Sequence, residues 1–476
     1  MLQTLKNAWK TKDIRSKIIF TLFILALYRL GTVIPVPFVD ATSFASSFSG
    51  TILDYMNTLS GGSLGSATIF ALGVSPYINA SIIIQLLAVV FPKLGELAKN
   101  DKEKMNFITR IVTIALAIVT AIGYYLLLAR EPSQGAGNAL SPIVNNSPVS
   151  WLYAIVIIAC YCAGASVVMW LAERINEKGI GNGISIILFA NIISIIPSQV
   201  YNLVQLVIQT YQYKDLAWLY GIVSTLVTLL VFAVMIALVV FVIFITGSER
   251  RIPVQYAKRV VGRKMYGGQS SNLPIKLNMT GVMPIIFASS IVSLIPTIIT
   301  IAGGSDVKTG FVGALNTIFA TDGVVYPVSL FILIIGFAYF YTTITFDPTE
   351  VANNLKKQGG TIPGIRQGRP TADYIRKILF KVTLVGALFL GVIAVLPNIL
   401  GPHVFENVLR WIVYGSEDAK IALEGGYASS YDSYAAGLAS MFTFGGTSLL
   451  IVVGVAIETF RELEAQLTMR NYKGFL

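Results

Sequence analysis

Three isoleucines and a leucine are the residues of this chain whose placement most plainly suggests a physical task. Ile78 and Ile82 follow Pro76 one helical turn apart, and Ile184 and Leu188 repeat that spacing after the glycine-rich GIGNG. Such pairs either pack as ordinary apolar surface or meet as a constriction, which stops ions by dewetting and yields to whatever passes because aliphatic groups form no fixed hydrogen bonds. Spacing alone leaves both readings open. Covalent chemistry has little to work with. Cys160 and Cys162 lie one residue apart in an apolar run, so they face different sides of a helix and suit small apolar packing better than a disulfide or metal site. His403 is the single histidine, no P-loop spacing occurs, and no histidine and carboxylate constellation is present. Neither metal nor cofactor is expected.

The elements that must position these aliphatic pairs are membrane spans. Hydrophobic residues make up 55% of the 476 and charged residues 12%, against about 25% charge in a soluble protein. Mean hydropathy is +0.71. A window of about 19 residues marks apolar runs near 18 to 34, 75 to 92, 107 to 128, 151 to 171, 183 to 197, 217 to 246, 279 to 301, 327 to 346, 376 to 396 and 445 to 459, about ten spans in all. The first run is long enough to span and lacks a small-residue cleavage site, so it is expected to stay as helix one. The run at 183 to 197 is short for a hydrocarbon core of about 30 Å, which predicts a tilted or shielded segment. The stretch Gly61 to Val90 is apolar but interrupted by glycines and Pro76. Backbone that leaves the helix at membrane depth needs protein or a water-filled cavity for its polar groups, so this interruption predicts a pathway.

Charge sets the orientation. No lysine or arginine occurs from Thr32 through Pro92, whereas Lys6, Lys10, Lys12, Arg15 and Lys17 precede the first span and Lys93, Lys99, Lys102, Lys104 and Arg110 precede the third. The N-terminus is therefore expected inside, and with an even number of spans the C-terminus too. Only Arg130, Lys214, Lys308, Arg410 and Lys420 then fall outside. Two inside loops, about 247 to 278 and 347 to 375, are long and basic. They either fix topology alone or dock something acidic, RNA or an acidic protein face. PGIRQGRP favours docking, since proline and glycine flank Arg366. Inside the spans ionisable groups are scarce: Arg29 lies near an outer end and Asp347 and Glu458 at inner ends. That argues against the proton or ion relay of a coupled transporter.

Five strings carry a resemblance. SGGSLGSATIFALGVSPYINASIIIQLL (60 to 87), ERINEKGIGNGISIILFANI (173 to 192), NMTGVMPIIFASSI (278 to 291), PGIRQGRPTADYI (363 to 375) and GGTSLLIVVGVAIET (445 to 459) are collinear with, and resemble, those of the bacterial SecY family of protein-conducting channels. The resemblance implies an all-α polytopic membrane protein with ten transmembrane helices in two pseudo-symmetric halves, 1–215 and 216–476, closing around an hourglass pore. It also implies a pore ring of Ile78, Ile82, Ile184, Leu188, Ile286 and Ile451. A short plug helix would comprise Gly61, Gly62, Ser63, Leu64, Gly65, Ser66, Ala67, Thr68, Ile69 and Phe70. A lateral gate would be lined by Gln85, Ser289 and Ser290. Arg263, Lys264, Arg366 and Arg369 would match the docking platform for the motor ATPase SecA or the ribosome. SecE, SecG, signal sequences, precursor or nascent polypeptides and anionic membrane lipids are the implied partners, and the bacterial cytoplasmic membrane is the implied location. Energy would come from a partner, so no catalytic residue is expected.

One region departs from the family pattern. Between helices nine and ten the family has a short outside loop, whereas here about 401 to 444 intervenes. Its 404 to 414 part has helical periodicity and could lie in the membrane interface. Two other classes share some of these features: a secondary transporter with broken helices, and a pore-less insertase subunit. The missing intramembrane acids weigh against the first, and absent ion conductance after opening the apolar ring would mark the second.

Overall fold

The computed structural model describes residues 2–39, 52–130, 132–133, 137–138, 140, 150–210, 217–256, 259–261, 264–266, 270–303, 325–400 and 428–473. It is an all-α membrane fold with a small β module at one end. The helices are α1 Leu2–Lys10, α2 Lys12–Gly31, α3 Ile52–Leu59, α4 Ser75–Val90, α5 Pro92–Asn100, α6 Lys102–Arg130, α7 Ser150–Lys178, α8 Gly183–Thr210, α9 Ala217–Gly247, α10 Met283–Gly303, α11 Val325–Thr345, α12 Pro348–Lys357, α13 Arg369–Leu400 and α14 Ala428–Lys473. Among them α6, α7, α8, α9, α11 and α13 each hold a stretch long and apolar enough to cross a bilayer. The α4 and α5 pair, bent by 118° around Phe91, makes a seventh. Pro92 forces that bend, because its ring disfavours helical backbone at the preceding residue.

Early helices pack on early helices and late on late. Helix α4 lies on α6, α6 on α7 and α2 on α7; α10 lies on α11, α11 on α13 and α13 on α14. The two groups meet along two seams. On one side α8 packs against α9 and α14, and on the other α10 packs against α4 and α6, with α3 between α8 and α10. Helix α9 is apolar all round, yet only 17% of its most apolar window is buried. Leu226, Leu229, Ile236, Val240 and Phe244 lie on its open surface, which suits contact with lipid chains.

Two expectations change. The run expected to be short at 183 to 197 is the 28-residue α8, because Pro197 is accommodated inside the helix instead of ending it. The last span is likewise far longer than 445 to 459. Residues 428–444, expected as outside loop, continue helically into α14, whose 46 residues extend about 69 Å at 1.5 Å per residue. The two basic loops, moreover, fold together. Strand β3 (Glu249–Tyr256) pairs antiparallel with β6 (Ser270–Lys276) and also with β7 (Gly360–Thr361) from the second loop. Two shorter hairpins complete the strands: β1 (Pro132–Ser133) with β2 (Gly137–Asn138), and β4 (Arg259–Val261) with β5 (Lys264–Tyr266). Ile252, Val254, Ile275, Leu355, Ile362, Ile375 and Leu379 form one apolar core beneath the three-stranded sheet, so both loops fold as one module.

Arg263 and residues 401–427, including the expected interfacial helix, lie outside the described residues.

Candidate functional site

The aliphatic residues converge because the chain breaks its helices where they begin. Helix α4 starts at Ser75 with Pro76 in its first turn, which supplies a preset φ where an N–H would have no helical partner anyway. Asn182 starts α8: its side-chain oxygen accepts from the Ile184 N–H at 3.1 Å, while Asn176 accepts from the Gly183 N–H at 2.7 Å. Helix α10 starts at Met283 just after Gly281, whose φ is +66°. Ile78, Ile184 and Ile286 thus each ride in or beside the first turn of a helix that follows a break. Ile451 comes from the uninterrupted α14.

All six expected ring residues lie in one contiguous apolar cluster and are between 1% and 5% exposed. Ile78 and Ile82 come from α4, Ile184 and Leu188 from α8, Ile286 from α10 and Ile451 from α14, so both groups of helices contribute. A cavity of about 20 Å³ is lined by Ile78, Leu188, Ile286 and Ile451 together with Met56 and Leu59 of α3. Ser75, Asn79, Ser289, Ser290 and Ser293 also line it. No group of three or more metal-ligating side chains occurs among the described residues.

At Gly183 the backbone of α8 comes tight against α7. A Cβ there would stand 2.0 Å from the Ala172 carbonyl oxygen, which is held in a helix and has nowhere to go. Gly183→Ala is therefore expected to push α8 away, carry Ile184 and Leu188 out of register, and cost more than about 2 kcal/mol. Thermal unfolding of the purified protein in nanodiscs would read this; an unshifted midpoint would contradict it.

The segment expected as a plug helix, Gly61, Gly62, Ser63, Leu64, Gly65, Ser66, Ala67, Thr68, Ile69 and Phe70, is not helical but a succession of turns. Glycine is the reason. Gly61 (φ +73°) ends α3 in a left-handed turn in which the Gly62 N–H donates to Asn57 O at 2.8 Å and the Gly61 N–H to Thr58 O at 3.1 Å. Leu64 then packs with Tyr124, Leu128, Ile157 and Tyr161 of α6 and α7, and Phe70 stacks on Tyr28 of α2 at 5.5 Å. Helix α3, the eight residues just before, reaches the aliphatic cluster through Leu59, and the turn segment itself reaches it through Ile69 and Phe70.

The expected gate residues fall on the seam between α4 and α6 and the α10 and α11 pair. Gln85 of α4 donates to Ser81 Oγ at 3.0 Å and accepts from the Tyr341 hydroxyl of α11, which the sequence reading missed. Ser289 and Ser290 of α10 are buried, and Ser289 donates back to Ile286 O at 2.9 Å. Thr297, two turns further along α10, lies 3.1 Å from Met56 Sδ of α3.

At the opposite end Arg366 and Arg369 are exposed. Arg366 sits between Gly364 (φ +81°) and Gly368 (φ +93°), and the Thr371 hydroxyl donates to its carbonyl at 2.8 Å, so the tip is held. Lys264 opens β5. Lys276 is drawn into the module instead: burial, with the Arg461 guanidinium adding to it, pushes its ammonium pKa down. Asp347, placed at a span end, caps α12; the Thr349 N–H donates to it at 2.8 Å and holds its carboxyl pKa below the usual value. Lys17 donates to Gln466 at 3.1 Å, and Ala8 and Ile14 pack with Ile180 and Leu463, so the two ends of the described chain share one face.

Comparison with known proteins agrees with this architecture. The model of the SecY family matches residues 68–460. The protein translocase subunit SecY of Streptomyces galbus is 40% identical over 485 residues, and that of Mycobacterium tuberculosis 41% over 493, each comparison covering 100% of both chains. Among solved structures, one described as a protein conducting channel superposes with a TM-score of 0.58 at 18% identity, covering 95% of this chain and 92% of that one. Sec61 from a canine ribosome-channel complex of the endoplasmic reticulum gives 0.55 at 17%, with the same coverage. At such identities these structures speak to fold, whereas the full-length sequence matches speak to descent: the chain belongs to the SecY family.

Proposed function

We propose that this chain is the channel subunit of a protein translocase, passing unfolded secretory polypeptides across a membrane and releasing apolar segments sideways into lipid. The observation that carries this reading is the ring itself. Six aliphatic side chains from four helices meet in one buried cluster, with a small helix seated against it and serine hydroxyls and the Asn79 amide alongside. A transporter site would need fixed polar ligands at that depth. An aliphatic collar instead suits a passenger of changing chemistry, since it excludes ions without selecting side chains.

In this reading ten helices, α2, α4, α6, α7, α8, α9, α10, α11, α13 and α14, span the bacterial cytoplasmic membrane as two pseudo-symmetric halves, and both termini are cytoplasmic. The shared face of the two chain ends and the lysine and arginine bias support that orientation. Helix α3 with its tether Gly61–Phe70 acts as the plug. Gln85, Ser289 and Ser290, joined by Tyr341, line the lateral gate for signal sequences. Arg263, Lys264, Arg366 and Arg369 dock SecA or the ribosome, SecE and SecG complete the complex, and anionic lipids neutralise the basic end. Energy enters through those partners. A partner or signal sequence opens the channel by binding the open form more tightly than the closed one.

The test is site-specific crosslinking from positions 78, 184 and 286 to a secretory precursor stalled halfway by a folded tail. Crosslinks at all three positions are expected. Crosslinks confined to the gate, or none, would return these residues to ordinary packing and reopen the insertase reading.

A further inference from the structure

Helix α3 must stay on the ring at rest and leave it for passage, so something has to set how firmly it is held. A helix C-terminus ends in carbonyls without intrahelical partners and carries the negative end of the helix dipole. In α3 the turn at Gly61 satisfies the Asn57 and Thr58 carbonyls. Two further carbonyls are taken by other helices. Asn191 of α8, fully buried, donates from Nδ2 to Leu59 O at 2.9 Å and to the Tyr28 hydroxyl of α2 at 2.9 Å. Arg29, next to Tyr28, reaches Gly61 O at 3.4 Å.

The chemistry of this junction is specific. A carbonyl only accepts, so the face of the Asn191 amide toward Leu59 has to be its NH2, and both of its protons are used there. Its Oδ1 meets no donor among the described residues. The fit is close: a Cβ on Gly61 would stand 2.9 Å from both Asn191 Oδ1 and Arg29 Nη1, at a φ that disfavours side chains in any case. Toward α10, by contrast, α3 offers the softer contact of Met56 Sδ with Thr297.

We propose that Asn191 is a positioning residue of the channel: with Tyr28 and Arg29 it latches the C-terminal end of α3 to α2 and α8 and sets the threshold at which the plug leaves the ring. The consequence for transport rests on the channel reading above. The latch itself is a property of the resting protein.

Hydrogen exchange tests it on the full chain in lipid nanodiscs. Asn191→Leu keeps the branching and the number of heavy atoms and removes both donors. Amides of Met56–Gly65 are expected to exchange about tenfold faster, as the loss of two modest hydrogen bonds implies, while those of α6 and α7 keep their rates. Tyr28→Phe, which removes one partner of the amide, should give a smaller rise and serves if Asn191→Leu fails to fold. Unchanged exchange in the folded variant would overturn the latch and leave the channel reading standing. Faster exchange with unchanged resting conductance in planar bilayers would uphold the latch and count instead against α3 as the seal.

Discussion

Replacing Ile78 and Ile286 together by glycine is expected to raise resting ion conductance at least about tenfold. The two face the same 20 Å³ cavity from α4 and α10, that is, from both sides of the seam. That cavity is already edged by the Ser75, Ser289, Ser290 and Ser293 hydroxyls and the Asn79 amide. In the channel reading proposed above, the aliphatic collar is what keeps it from joining the water on either side. With two of its members gone, the remaining lining is polar enough to wet, and a wetted neck conducts. Each truncation also costs about 2 to 5 kcal/mol of packing, so single Ile→Ser variants are the safer companions. Ile78→Val, which keeps the collar closed, should not leak. Planar bilayer recordings decide this; a silent double variant would move the barrier from the ring to α3.

Arg366→Glu is expected to lower motor-driven transport at least tenfold, an electrostatic effect of reversing a docking charge, while stability stays within about 0.5 kcal/mol. The loop is shaped by Gly364, Gly368 and the Thr371 hydrogen bond, none of which uses the Arg366 side chain. Arg369 offers a check. As the first residue of α13 it sits where a cation opposes the helix dipole, so its charge does nothing for that helix and a glutamate there should stabilise it slightly. Parallel loss of transport in both variants, with no fall in either unfolding midpoint, is the expected pattern. Full SecA-dependent export in Arg366→Glu would remove the tip from the docking surface.

The pairs Ile78 with Ile82 and Ile184 with Leu188 were visible in the sequence because their determinants are local, whereas Ile286 and Ile451 came only through the resemblance. Breaks at Pro76, GIGNG and Gly281 start helices, and an aliphatic pair one turn apart shares a face wherever the helix goes. Helical form was wrongly expected for Gly61–Phe70 because a glycine run was read as helix, although glycine in a left-handed turn is what stops one. Asn191 was missed because the search through the spans weighed ionisable groups only. An amide in SIILFANIIS carries the same signal, a polar group at depth that must find a partner. The sheet was out of reach for another reason. Ile252 and Val254 alternate with exposed neighbours as a strand requires, but β7 lies about a hundred residues further on, and such pairing leaves no trace in a single sequence.

That sheet has a mechanical meaning. β3 leaves α9 almost without a linker, β6 leads into α10, and β7 with α12 lies between α11 and α13. Every covalent exit from the module therefore runs into a helix of the later group, and none into α2, α4, α6, α7 or α8. A load applied at Arg366 cannot be divided between the two sides of the seam. It enters the later group through α9, α10, α11 and α13, and the Tyr341–Gln85 contact across the seam lies about one turn from Phe346, which is already packed into the module.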